Sequence, residues 1–389
     1  MKRDVIIFAG ALFDSKLWTN RQQIATRLAE RGHRVFYVEP RHFWLTMLLG
    51  QFPGSGSRLH WLFRSHWPYE VRKNLWVISQ FNVMPWSREV HWISLLNHWL
   101  NAPTVHFHAF IKGFKEPAIL IYDTEAAQYM GRFPKSKIVY DCVDDHRVQA
   151  GVNRNPERVE AEEVLIARVA DAISVTTEIL YERFSKLNKN VVLIPNAADI
   201  NLFKNFAGLE PADLKNIPHP RIGTVGALDI YKVDFEMLLR VAKKHTEWQF
   251  VMVGPVESVG SREKGAGCRG LEKLSNVHFL GAKKTVDVPA YVHNFDVAII
   301  PYVKSDYNDA SFPLKFWEFM VSGKPVVASN LPTLSKYQYL FSLTRNEEEF
   351  EKGIITALQE NEKNNVPRIA EAVLHDWGKR VDAIEKLLL

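Results

Sequence analysis

Ser311-Phe312-Pro313-Leu314-Lys315-Phe316-Trp317-Glu318 sets a lysine and a glutamate three residues apart at the start of an apolar helical stretch. A helix amino terminus presents free N–H groups and a positive dipole end, so Lys315, the Ser311 hydroxyl and the amides around Leu314 could cradle a diphosphate. Pro313 suits a helix start, where its missing donor costs nothing. Glu318, one turn on, can face the same ligand and accept hydrogen bonds from vicinal hydroxyls. The same spacing also makes an ordinary exposed ion pair within a helix, and on these residues alone both readings stand. A second cluster, Asp141-Cys142-Val143-Asp144-Asp145-His146, admits three: a divalent-metal site, a cap by Asp145 on a following helix, or a general base at Asp144. His106 and His108 alternate as on one face of a strand, a pattern that packing explains more often than metal binding.

Short β-branched runs alternate with longer amphipathic stretches, as parallel strands joined by helices require. Strands are expected at Val5 to Ala9, Val35 to Val38, Leu75 to Ser79, Ala118 to Tyr122, Lys137 to Cys142, Ala172 to Thr176 and Val191 to Pro195. The pattern restarts at Arg221 to Val225, Gln249 to Val253, Val277 to Leu280, Val297 to Pro301, Pro325 to Ala328 and Leu340 to Leu343. Helices include Arg21 to Arg31, Arg158 to Val169 and one opening at Ser311 and ending at Gly323. The expected fold class is α/β, with two doubly wound parallel sheets in tandem. The 389 residues exceed what one core usually serves. Pro211, Pro218 and Pro220 mark a seam, which divides the chain into domains 1–205 and 206–375. The amphipathic segment 376–389 either packs on the second domain or returns to the first. In such sheets ligands bind beyond the carboxyl ends of the strands, and both candidate segments follow a strand.

Composition, 47% hydrophobic and 24% charged, is that of a folded protein. The only cysteines, Cys142 and Cys268, have no metal-ligand spacing and suit a reducing compartment. The run Val5 to Gly10 is too short for a signal-peptide core, and no stretch reaches the roughly twenty apolar residues of a membrane span. A net charge of +5 supports no nucleic-acid partner. Between Arg41 and Lys115, however, the acids are only Glu70 and Glu89, against Arg41, Arg58, Arg64, Arg72, Lys73, Arg88, Lys112 and Lys115. The same window holds Trp44, Trp61, Trp67, Trp76, Trp86, Trp92 and Trp99. That composition fits a membrane-interface surface, and equally a tryptophan-rich core with solvated charges.

The run Pro313 to Ala328, PLKFWEFMVSGKPVVA, resembles the donor-site signature of GT-B glycosyltransferases related to family 4, especially bacterial members acting in teichuronic-acid and other surface-polysaccharide synthesis. Matching pieces are Arg21-Gln22-Gln23 before Gly32-His33, Val139 to Asp145, Ile194 to Asp199, Val225 to Leu228, Val253-Gly254-Pro255 and Phe279-Leu280-Gly281. The resemblance implies a GT-B fold of two facing Rossmann-like domains, the first binding acceptor and the second nucleotide-sugar. It implies that Glu318 binds the donor ribose, that the amides at Leu314 and Lys315 hold the diphosphate, and that Ala282 and Lys283 meet the base. Gly226 and Gly254 belong to the same donor site. The family's second glutamate falls at Ala310, with Asp309 beside it. Its usual arginine and lysine fall at Ala227 and Val233, which shifts diphosphate charge onto Lys315 and Lys232.

Asp144 resembles, by position, the catalytic aspartate of inverting glucuronosyltransferases of xanthan type. His146 and Asp145 stand beside it on the acceptor side, and Arg21 is a candidate for an acceptor phosphate. The expectation is a hexosyltransferase-type glycosyltransferase that uses a nucleotide-sugar, UDP-linked, and a polyprenyl-linked saccharide acceptor. No metal or other cofactor is expected. Its place would be cytoplasmic, peripheral on the anionic inner face of the cytoplasmic membrane. The alternatives are a sugar-nucleotide epimerase on the same fold, and a partner subunit that binds nucleotide or lipid without turnover.

Overall fold

The computed structural model describes residues 2–15, 17–45, 67–87, 90–149, 155–204, 206, 208–256 and 266–389. Arg58, Trp61, Arg64 and Arg88 lie outside the described residues. The chain divides into two units. The first comprises Met1–Arg147, Asn153–Ile194 and Gly378–Leu389; the second, Val148–Val152 and Pro195–Trp377.

The first unit is built on β1 (Asp4–Phe8), β2 (Arg34–Phe43), β3 (Tyr69–Arg72), β4 (Leu75–Asn82), β5 (Ala118–Ile121), β6 (Ile138–Cys142), β7 (Ala172–Val175) and β8 (Val191–Leu193). Their order in the sheet is β3-β4-β2-β1-β5-β6-β7-β8. All neighbours are parallel except β3, which pairs antiparallel with β4 at the edge. Sequence patterning misses β3, because Tyr69–Arg72 is short and half exposed and so lacks an apolar run. The inner strands β5, β6 and β7 are buried at every position, as strands covered by helices on both faces must be.

The second unit carries β9 (Arg221–Val225), β10 (Gln249–Val253), β11 (Val277–Gly281), β12 (Val297–Ile300), β13 (Val326–Ser329) and β14 (Ser342–Thr344). The order is β11-β10-β9-β12-β13-β14, parallel throughout, so the chain reverses direction across the sheet between β9 and β12. That switch point opens a crevice at the carboxyl ends of these two strands. Phe312, Phe316, Trp317 and Phe319 pack one face of this sheet as part of a single core cluster.

The terminal helix Trp377–Leu388 contributes its residues from Gly378 onward to the first unit. Charge fastens it there. Arg380 makes a bidentate pair with Asp141 at 2.8 and 2.9 Å, both side chains almost wholly buried, while Glu385 takes Arg31 at 2.6 Å and His33 at 2.8 Å.

Two local expectations fail. His106 and His108 do not lie on a strand; they belong to the helix His91–Ile111, where residues two apart diverge. His108 is buried against Trp67, and His106 packs on Phe133. The apolar run around them is uncharged throughout, so periodicity over the few residues near the histidines reads as alternation. Asp145 caps no helix among the described residues: the next one, Pro156–Val169, is capped by Asn155. The Asp145 carboxylate is taken instead by Arg147 at 2.8 Å and Arg183 at 3.5 Å.

Candidate functional site

In the second unit the donor segment lies beyond the carboxyl ends of β9, β10 and β12, and each strand delivers one component. β9 ends into Gly226, with φ of +104°, and β10 into Gly254, with φ of +150°. A Cβ on Gly254 would stand 1.8 Å from the Gly226 carbonyl oxygen, so only glycine permits the two backbones to approach this closely. β12 runs through Pro301 into Tyr302, and the Lys315 ammonium stands 5.3 Å from the Tyr302 ring centre. A Cβ built on Gly226 would meet the Lys315 ammonium at 3.4 Å. Lysine and glycine loop are thus neighbours although 89 positions separate them.

Lys315 is buried, and its ammonium has no hydrogen-bond partner among the described residues. Burying a charge unpaired costs several kcal/mol by the usual accounting, about 3–5, unless an anion arrives to pair with it. Lys232 stands among tyrosines of its own: its ammonium lies 3.2 Å from Asp229, 5.2 Å from the Tyr231 ring and 5.6 Å from the Tyr307 ring, and it also feels Tyr302. Burial works against the Lys232 charge, but the surrounding tyrosines and Asp229 outweigh it and hold the proton firmly.

Glu318 sits one turn into the helix Lys315–Val321. Burial pushes its carboxyl up to about 7; Lys315 opposes the shift and Asp199 adds to it. The side chain keeps partial solvent access, so an incoming ligand can reach it. No ion pair between Lys315 and Glu318 forms among the described salt bridges, although the two feel each other electrostatically.

The loop ahead of this helix is held from several sides. Asn196 donates to the Phe312 carbonyl at 2.8 Å, Thr333 donates to the Ser311 carbonyl at 2.7 Å, and the Phe312 ring stacks on Trp317, itself stacked on His375 at 3.8 Å. Ser311 departs from expectation. It ends the preceding helix Asp306–Ala310, and its hydroxyl donates to the Tyr307 carbonyl at 2.8 Å rather than entering the first turn of the next one. Leu314 is the residue that starts that helix, with Pro313 just ahead of it. Lys283 is tied to Asp213 at 2.6 Å, and Tyr291 shares the same carboxylate, so at that position the backbone around Ala282 is what stays open. Val233 is buried and bridges to Tyr302, which leaves no cation at that position.

In the first unit Asp141 is wholly buried, bound by Arg380 and by the Ser174 hydroxyl, and so is structural. Asp144 is half exposed just beyond β6, with His146 likewise half exposed. Burial raises the Asp145 carboxyl, but Arg147 and Arg183 prevail and hold it below the usual carboxylate range. No group of three or more histidines, cysteines or acids could hold a metal ion among the described residues. Arg21 lies in the first turn of the helix Asn20–Glu30, its guanidinium 5.7 Å from the Tyr122 ring and its Nε without a partner.

Sequence reasoning passed over Tyr302, and also a cleft at the ends of β1, β2 and β5 lined by Gly10, Glu39, Arg41, Asp123 and Glu125. Both follow the strand-end rule; Asp123 comes two residues after β5 and could have been selected by it.

Residues 219–360 match the family model described as glycosyl transferases group 1. That match lies within the second unit. Over 213 residues the chain is 30% identical to a protein of Bacillus subtilis (strain 168), provisionally assigned as the teichuronic acid biosynthesis glycosyltransferase TuaH. The match covers 52% of this chain and 52% of that protein, so the chain spans about half the length of the curated relative it matches. Among solved structures, sucrose-phosphate synthase from Thermosynechococcus elongatus superposes with a TM-score of 0.73 at 17% identity, over 100% of this chain and 98% of that one. Anabaena HepE in complex with UDP and glucose gives 0.67 at 15% identity, and the E. coli trehalose-6-phosphate protein bound with UDP-2-fluoro glucose gives 0.67 at 12%; both cover 99% of each chain. The fold is GT-B, and the resemblance carried by Pro313 to Ala328 stands with it.

Proposed function

We propose that this protein is a glycosyltransferase that moves a sugar from UDP to a saccharide carried on a polyprenyl diphosphate, at the inner face of the cytoplasmic membrane. The observation that carries the donor half is the buried Lys315 ammonium, which has no hydrogen-bond partner among the described residues and lies beside the Gly226 and Gly254 loops at the switch point. A diphosphate supplies the missing anion, Lys232 adds a second cation, and the amides of Leu314 and Lys315 complete the cradle. Glu318 then accepts from the ribose hydroxyls, and the backbone at Ala282 and Lys283 meets the base. UDP is favoured over other nucleotides because two structures of the same fold hold UDP or a UDP-sugar.

In the reaction the acceptor hydroxyl attacks the anomeric carbon, the bond to the diphosphate breaks, and Asp144 takes the hydroxyl proton. His146, Asp145 and Arg21 belong to the acceptor side. Lys315 and Lys232 stabilise the departing diphosphate charge, so no resident metal is required.

A thermal-shift screen against UDP, GDP and dTDP sugars tests the donor. UDP-sugar should raise the melting temperature of the wild-type protein, and the rise should vanish in Lys315→Ala. Absence of any nucleotide-induced shift sinks the reading. Ala227 and the buried Val233 favour one competitor, a partner subunit that binds nucleotide without turnover. Turnover that Asp144→Ala abolishes while UDP binding persists decides against it. Product analysis with donor alone tests the epimerase.

A further inference from the structure

The helix His91–Ile111 is built inside out. Surface helices ordinarily turn their bulky apolar residues to the core and their polar residues to water. Here the buried side is mainly small or polar, with Ser94, Asn97, Ala102, His108 and Ala109 joined by the apolar Ile93 and Val105. Trp92, Leu95, Trp99, Leu100, Phe107 and Phe110 face solvent, with Trp92 59%, Trp99 62% and Phe110 74% exposed. Hydrogen bonds impose this orientation. Asn97 Oδ1 accepts from the amides of Val83 and Met84, its Nδ2 donates to the Met84 carbonyl, and Ser94 Oγ accepts from Arg158 at 2.8 Å. Turning the apolar side inward would break all of these at once.

The 21 residues of the helix include no aspartate, glutamate, lysine or arginine. Two more exposed tryptophans adjoin it: Trp67, whose ring contacts His108, and Trp86, whose carbonyl accepts from the Val90 amide at the helix start. The far end runs into exposed Lys112 and Lys115, and Arg34 donates to the Lys112 carbonyl at 3.0 Å. Of the acids beside it, Glu116 is 3.8 Å from Lys135, and Asp4, which accepts from the Lys115 amide at 3.0 Å, is paired with Arg34 at 2.5 Å.

We infer that this face of His91–Ile111 is the membrane-docking surface, lying flat in the headgroup region of an anionic bilayer with its aromatic side immersed and Lys112 and Lys115 on lipid phosphate. It rests on the membrane-contact reading above and names the residues that make it. Several features select a bilayer as occupant. The exposed aromatics are mainly tryptophan, whose ring prefers the interface between hydrocarbon and water. The helix is about 31 Å long, a run of uncharged surface beyond the scattered single residues of ordinary protein surfaces. Its end is cationic, which complements anionic lipid. No helix is long and apolar enough to cross a membrane among the described residues, and the hydrogen-bonded inner side keeps this one parallel to the surface.

The test is co-sedimentation of the full chain with vesicles of phosphatidylcholine alone or mixed with phosphatidylglycerol, with far-UV circular dichroism, elution volume and UDP binding as controls. The wild-type protein should bind the mixed vesicles. The triple variant Trp92→Ser, Trp99→Ser, Phe110→Ser should lose at least about tenfold in partition while its fold and UDP binding persist. Lys112→Glu with Lys115→Glu should abolish the preference for anionic lipid. Wild-type and triple variant binding equally would overturn the assignment to this helix and leave membrane contact standing. A wild-type protein that binds UDP but no vesicle overturns both. A wild-type dimer that the triple variant converts to monomer, without vesicle binding by either, assigns the face to a second copy of the chain instead.

Discussion

Glu318 concentrates the residue-scale chemistry, because burial already displaces the carboxyl that the proposed donor ribose would meet. Its ordinary value is 4.5 and burial lifts it to about 7, so between those pH values the folded chain holds a proton that the unfolded chain has released. Stability from this group is therefore present at low pH and declines as pH rises towards 7. Glu318→Gln should flatten that part of the stability profile, as followed by urea denaturation across pH. A ribose that donates to the carboxylate favours its ionised form. UDP affinity, measured by calorimetry, should then rise as pH increases through 7 and level off above, and Glu318→Gln should bind weakly with no such rise. Lys315 makes a separate prediction. If its ammonium is a point charge for diphosphate, Lys315→Ala should weaken UDP by about 2–3 kcal/mol, and Lys315→Met should stabilise the nucleotide-free protein by removing an unpaired buried charge.

Elements decide which residues become neighbours. β9 and β10 are adjacent and parallel, and their ends bring Gly226 and Gly254 so close that a side chain at the latter collides with backbone. Gly254→Ala should cost about 3 kcal/mol in urea denaturation and, if this loop walls the proposed diphosphate site, abolish the UDP-induced thermal shift, because the loop must move. In the first unit, Arg380 and Asp141 form a buried pair at 2.8 Å. Asp141→Ala leaves the guanidinium unpaired and should destabilise by ~3–5 kcal/mol, far more than any exposed pair on the same helix. Ser311 and the histidines of His91–Ile111 show the limit of local reading. Which of two successive helices a serine serves depends on where the chain bends, and whether an apolar run alternates or winds depends on length that few residues reveal.

At the scale of the whole molecule, the chain holds two units with separate cores, and the last residues of the sequence belong to the first. Ligand stabilises only the part that binds it. Differential scanning calorimetry of the full chain should thus show UDP raising the transition of the second unit. Removing Gly378–Leu389 should lower the transition of the first, by leaving Asp141, Arg31 and His33 without their partners.

The alternation of β-branched runs with amphipathic stretches was sufficient for two parallel sheets, because strands covered on both faces have few alternatives to continuous apolar residues. The spacing of Lys315 and Glu318 after β12 was likewise enough to single out a candidate segment. An ion pair and a phosphate site have the same sequence, however, and what the tertiary structure adds is the burial of Lys315 against Gly226 and Tyr302, contacts made by strands far apart in the chain. The tryptophan window had the same ambiguity. Composition cannot tell a core from an interface, and what settles the outward course of Trp92 and Trp99 is the set of hydrogen bonds that holds Ser94 and Asn97 inside.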